Sequence, residues 1–97
     1  MKKGYWLVRA DITDTEKFKR YVAKTPEALT KFGAKFLVRA GDSIVVEGSS
    51  RSRNSVIEFP SYQAAIDCWE STEYQSAKAL RIGGADLDIV IIEGFEP

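Results

Sequence analysis

Arg9, Arg39 and Glu58 are charged residues inside stretches that are otherwise apolar and strand-like, and Arg53 and Tyr74 lie close to the same elements in sequence. A guanidinium binds a carboxylate or an enolate through paired hydrogen bonds, so Arg39 reads as an anion clamp, with Arg9 and Arg53 as further ligand-binding cations. Glu58, between Ile57 and Phe59, reads as the acid/base candidate if burial holds its carboxyl protonated. Tyr74 offers a phenol hydroxyl to a cavity. The competing reading pairs Arg39 with Glu58, with Glu47 or with a partner chain, and makes both charges structural. The two readings place the Glu58 pKa on opposite sides of its ordinary value: raised for a desolvated base, lowered for an ion-paired carboxylate.

The remaining chemistry-bearing residues read more plainly. Arg51, Arg53 and Asn54 fall in or beside a polar loop that leads into a strand, a common place for binding groups and equally for solvated connections. Trp6 and Trp69 fall on apolar sets and read as core. Cys68, next to Trp69, reads as a small buried hydrophobe. The chain has no histidine. A serine–histidine triad, a Cys–His pair, a His-ligated haem and a His-containing metal site are therefore beyond one chain or its homodimer. No calcium-loop pattern is present, and Gly83-Gly84 is not followed by the Lys-Ser/Thr of a phosphate loop. No cofactor is expected.

Composition narrows the partners. Fourteen basic and fourteen acidic residues cancel, so no net field draws in nucleic acid or an anionic membrane. The apolar run after Met1-Lys2-Lys3 stops at Arg9, short of a signal-peptide core, and no segment reaches the length of a membrane span. A single cysteine excludes an internal disulfide. A cytoplasmic protein is expected, with residues 1–97 forming one domain.

The elements that must position these residues follow from periodicity. Tyr5 to Ile12 reads as a strand. Thr13 with Glu16 reads as a capping box, and Phe18, Tyr21, Val22, Leu29 and Phe32 recur at helical spacing. Pro26 predicts a broken or kinked helix, with Thr25 capping the second piece and Gly33 ending it. Lys35 to Ala40 reads as a strand, Gly41-Asp42 as a turn, Ile44 to Glu47 as a short strand or an extension past a bulge, and residues 48–53 as a mobile loop. Ser55 to Phe59 is a strand. Ser61 caps a helix that buries Ala64, Ala65, Cys68 and Trp69. A further helix from Ser71 or Thr72 turns Tyr74, Ala77 and Leu80 inward and stops at Gly83-Gly84. Leu87 to Glu93 closes the series. Strand, helix, strand, strand, helix, strand is the split βαβ plan of ferredoxin-like α+β domains, with an antiparallel sheet covered by helices on one face.

Alternation then divides each strand. Trp6, Val8, Ala10 and Ile12 are predicted to meet the helices. Tyr5, Leu7, Arg9, Leu37, Arg39, Val56 and Glu58 are predicted on the other face, with one set of the last strand. That face is too aliphatic to stand in water, and a second copy covering it would close a two-chain barrel.

Lys3-Gly4-Tyr5-Trp6, Lys35-Phe36-Leu37-Val38-Arg39, Glu47-Gly48, and Val56-Ile57-Glu58-Phe59-Pro60-Ser61 with Ala64-Ala65, Trp69, Ser71 and Glu73-Tyr74 together resemble the domain of unknown function 1330 family. That family is similar to the dimeric α+β barrel superfamily, which includes cofactor-free antibiotic-biosynthesis monooxygenases, muconolactone isomerase-like proteins and chlorite dismutase-like haem proteins. The resemblance implies a homodimer with a cavity between sheet and helices, and no settled activity. Two functions are expected from different classes. One is binding of a small organic acid or carbonyl compound, extending to a cofactor-independent enzyme. The other is a non-catalytic structural or regulatory dimer. A cavity with Arg39 free of protein partners favours the first, and Arg39 locked to Glu58 in a filled interface favours the second.

Overall fold

The structure, a computed structural model, describes residues 2–97; Met1, which opens the basic start of the chain, lies outside them. Strand β1 (Gly4–Ile12) leads to helix α1 (Thr15–Lys31), then strands β2 (Lys35–Arg39) and β3 (Arg53–Phe59), helices α2 (Tyr62–Glu70) and α3 (Thr72–Arg81), and strand β4 (Ala85–Glu93). The strands form one four-stranded sheet in the order β2-β3-β1-β4, and every neighbouring pair is antiparallel. This is the expected ferredoxin-like α+β plan, with its second helix divided into two.

Local chemistry explains the boundaries. Asp14, rather than Thr13, caps α1: its side chain accepts from the Lys17 N–H at 3.2 Å, and an aspartate serves this position as well as any residue. The helix then runs unbroken through Pro26, contrary to the two pieces read from the sequence. Pro26 has no N–H for the Val22 carbonyl, its partner one turn back. The Thr25 hydroxyl donates to that carbonyl instead, at 2.9 Å, so the gap in the ladder is filled from within the helix. Gly33, at φ +71°, ends the helix. Ser61 caps α2 by accepting from the Ala64 N–H at 3.0 Å. Ser71 both closes α2 and opens α3, donating to the Cys68 carbonyl at 2.7 Å and accepting from the Tyr74 N–H at 3.1 Å.

The core lies between the helices and one sheet face. Trp6, Phe59, Ala65, Cys68, Tyr74 and Ala77 are fully buried there. The Trp6 indole donates to the Ala65 carbonyl at 3.0 Å, which fixes α2 against β1, and its ring meets Phe59, Trp69 and Tyr74 at 4.9 to 6.0 Å between centroids. Cys68 is buried as expected, and burial pushes its thiol up to about 12. Leu80, expected inward, is exposed; Arg81 takes the inward place one position further on.

Two loop readings change. Ile44 to Glu47 forms no strand and leaves Ile44, Val45 and Val46 exposed. The polar loop that follows is anchored to the sheet. Arg51 donates to Asp88 at 2.8 Å and to Asp11 at 3.0 Å, and the Ser52 N–H donates to Asp11 at 2.9 Å. The Ser52 N–H, followed by the Arg51 guanidinium, holds the Asp11 carboxyl below its ordinary value.

Candidate functional site

Side-chain alternation in β1 and β4 runs as read, with Tyr5 opposite Ile92, Leu7 opposite Val90 and Arg9 opposite Asp88 on the open face. In β2 it does not. Phe36 pairs with Ile57, but Val38 pairs with Val56 and Arg39 with Ser55, so Leu37 is an extra residue in a β-bulge. A bulge reverses the facing of everything beyond it. Val38 therefore joins Val56 on the open face, and Arg39 turns to the helix side with Phe36 and Ile57. The expectation that Arg39 shares a face with Glu58 is overturned. The bulge is held by its far end: the Ala40 N–H, at φ +50°, donates to both the Asn54 carbonyl and the Ser55 hydroxyl at 3.0 Å.

Arg39 now stands at a cavity of about 70 Å³ between the sheet and α1. Trp6, Val8, Leu29, Phe36, Ile57 and Leu87 give it an apolar wall, and the aromatic ring of Phe18 continues it. Its polar groups are Arg39, Arg53, Ser55, Thr25, Tyr21 and Tyr74; none of its lining residues is acidic. Arg39 and Arg53 are both exposed at the end of the sheet. Each lies over an aromatic ring, Arg39 at 4.6 Å from the Phe36 centroid and Arg53 at 5.5 Å from Phe18. Neither makes an ion pair or hydrogen bond from its side chain among the described residues.

Deeper in, α1 and α3 bring two phenols together. The Tyr21 and Tyr74 hydroxyls are 2.9 Å apart. Arg81, on the face of α3 that carries Tyr74 and Ala77, donates from Nη2 to the Tyr74 oxygen at 3.4 Å and lies over the Tyr21 ring at 5.1 Å. Arg81 is only 8% exposed. It makes no ion pair among the described residues, and its Nε has no hydrogen-bond partner. Its position in the last turn of α3 sets it near the negative end of the helix dipole, which offsets part of the cost of burying it. Burial, then the neighbouring Tyr74, raises the Tyr21 pKa, so this phenol keeps its proton. Sequence reading missed Tyr21 and Arg81 as polar partners. The available signal was the spacing of Tyr74, Ala77 and Arg81, which sets a cation on a buried helical stripe.

The other site candidates lie across the sheet. Glu58 accepts from the Tyr5 hydroxyl at 2.9 Å and pairs with Lys35 at 3.4 Å. The Tyr5 hydrogen bond, then Lys35, hold its carboxyl below the ordinary value of 4.5, and the same contact raises Tyr5. This is the direction of the structural reading, with Tyr5 and Lys35 in the place expected for Arg39. Arg9 is exposed on the same open face. The residues singled out as one site are thus divided: Arg39, Arg53 and Tyr74 line the cavity, while Arg9 and Glu58 face away from it. Among the described residues no group of three or more Cys, Asp or Glu gathers as metal ligands, and no helix is long and apolar enough to cross a membrane.

Solved structures share this architecture. A protein of unknown function from Rhodopseudomonas palustris superposes with a TM-score of 0.77 at 14% identity, over 99% of this chain and 85% of its own. SnoaB, a cofactor-independent oxygenase from Streptomyces nogalater, gives 0.63 at 7% identity, over 100% and 97%. A dimeric ferredoxin-like protein of unknown function from Thermobifida fusca gives 0.55 at 12%, over 94% and 90%. At such identities the likeness establishes the fold. No curated protein sequence matches. The model of the domain of unknown function DUF1330 matches residues 3–95, nearly the whole chain, and the protein belongs to that family.

Proposed function

We propose that this protein is a homodimeric binding domain for a small organic acid, taken into the cavity between sheet and helices with its carboxylate at Arg39 and Arg53. The observation that carries the reading is that two guanidinium groups without acidic partners among the described residues stand at an apolar cavity whose lining has no carboxylate. Cations beside an apolar wall select an anion with an apolar body. Arg39 is also not locked to Glu58, the arrangement that would have favoured a purely structural dimer. The same cavity suits a cofactor-independent enzyme acting on an acid or carbonyl compound, a reading favoured by the Tyr21–Tyr74 hydroxyl pair.

The dimer rests on the open face. Val38, Val90 and Ile92 are about half exposed there, beside Leu7 and Val56. Exposed Ile44, Val45 and Val46 stand before the same face, across a space that Arg9 and Asp88 also line. So much aliphatic surface on one sheet face is characteristic of a covered face. Glu58 and Arg9 would lie within that interface. The proposed place of action, the cytoplasm, rests on the sequence reading alone.

The test is a titration with 4-methylpentanoate, a simple acid, followed by tryptophan fluorescence, since Trp6 lines the cavity. Saturable binding is expected, weakened about tenfold or more in Arg39→Met and again in Arg53→Met, as for loss of a charge-assisted hydrogen bond. No saturable binding, or binding indifferent to both substitutions, would overturn the reading.

A further inference from the structure

The inner end of the cavity has more hydrogen-bond donors than acceptors. Tyr21 and Tyr74 carry two O–H protons between them, and the bond between their oxygens uses one. Among the described residues, the only further polar contact of either hydroxyl comes from Arg81, which can donate and cannot accept. One phenolic proton is therefore left without an acceptor among the described residues, next to a buried guanidinium whose Nε also lacks one. Buried donors in native proteins are almost always satisfied. Both phenols line the cavity, so an acceptor brought in by a ligand would meet this proton.

We infer that the ligand is a small oxo acid: its carboxylate meets Arg39 and Arg53, and a ketone or aldehyde oxygen further along the molecule accepts the spare proton of the Tyr21–Tyr74 pair. This rests on the reading of the cavity as an acid site. A run of contacts links the two ends: Arg53 over Phe18 at 5.5 Å, Phe18 against Tyr21 at 5.4 Å, and Tyr21 to Tyr74. Arg81 is a positioning residue here. Its bond to the Tyr74 oxygen draws charge from that hydroxyl and strengthens the pair as a donor. A carbonyl oxygen is the fitting acceptor, since it accepts without bringing a further donor proton to a place already over-supplied.

The test compares 4-oxopentanoate with 4-methylpentanoate, two acids with the same arrangement of heavy atoms that differ by a carbonyl oxygen in place of a methyl group. The wild-type protein is expected to bind the oxo acid about tenfold more tightly, the scale of one well-made hydrogen bond. In Tyr21→Phe/Tyr74→Phe the preference is expected to vanish, the two acids then binding with equal affinity. If that variant fails to fold because Arg81 loses its partner, the same comparison is made with Arg81→Met added, which removes the stranded charge. An independent readout is the infrared carbonyl band of ¹³C4-labelled 4-oxopentanoate, expected to shift to lower frequency on binding to wild type and not on binding to the Phe variant. Equal affinity for the two acids in wild type, with both dependent on Arg39 and Arg53, would overturn the oxo-acid inference and leave the acid site standing. Failure of both acids to bind would overturn both.

Discussion

Arg39 stands directly across the β2–β3 ladder from Ser55, on the helix side of the sheet, because Leu37 adds one residue to β2. The consequence reaches the whole candidate site. Without the bulge, Arg39 would lie among Val56 and Glu58 and find a carboxylate. With it, the guanidinium reaches a cavity where aromatic rings and an apolar wall are its neighbours. Glu58 is then left to Tyr5 and Lys35, and the proposed function divides the work between the two sheet faces, one for the ligand and the other for a second copy.

The open face predicts a dimer. Sedimentation equilibrium at micromolar concentration is expected to give twice the chain mass of 10.8 kDa. Ile92→Lys, placed opposite Tyr5 on that face, is expected to shift the protein to monomer, because it would set an unpaired charge in the interface. A monomeric wild-type protein would contradict the covered face.

Glu58 predicts a pH signature. A carboxyl whose folded pKa lies below its unfolded value adds stability above the unfolded value and loses it as pH falls through the folded one. Burial opposes the effect, but the Tyr5 hydroxyl and Lys35 together outweigh it. Glu58→Gln is therefore expected to be less stable than wild type in urea at pH 7, and the difference is expected to close as pH falls below the ordinary value of 4.5. A difference that stays constant down to pH 3 would be contrary to this assignment.

Thr25 predicts a stability loss of local origin. In Thr25→Val the shape is kept, but the Val22 carbonyl loses the hydroxyl that stands in for the N–H missing at Pro26. The expected cost is about 1–3 kcal/mol, read as a fall in Tm of about 4–8 °C for each kcal/mol in a domain of this size. The double variant Thr25→Val/Pro26→Ala restores a backbone donor and is expected to recover most of the loss. No change in Tm for Thr25→Val would show that the carbonyl is satisfied in another way.

Where a residue's facing follows from its own strand or helix, it is legible in the sequence. Trp6, Val8 and Ala10 alternate with Tyr5, Leu7 and Arg9, and the structure keeps that division. The cap at Ser61 is legible too, since a serine before an apolar helical stripe has a defined task, while the start of α3 is narrowed only to Ser71 or Thr72, and Ser71 takes the cap. The facing of Arg39 is not. Leu37 and Val38 are both apolar, so either one satisfies the pattern of a buried strand. The choice between them is made by non-local contacts: Phe36 against Ile57 and the Ala40 N–H on Ser55. The unbroken α1 escapes for a related reason, because Pro26 announces a break and only the Thr25 rotamer shows how it is avoided. The Tyr21–Tyr74 pair joins residues 53 positions apart, and nothing in either segment alone names the other.

The most direct measurement is methyl NMR of the wild-type protein during the 4-methylpentanoate titration. Saturable shifts are expected at Val8, Val22, Leu29, Ile57 and Leu87, which line the cavity, with Leu7, Val38, Val56, Val90 and Ile92 on the opposite face unmoved, and loss of those shifts in Arg39→Met. Shifts confined to the open-face methyls, or none at all, would contradict the claim that the bulge at Leu37 turns Arg39 into a ligand site.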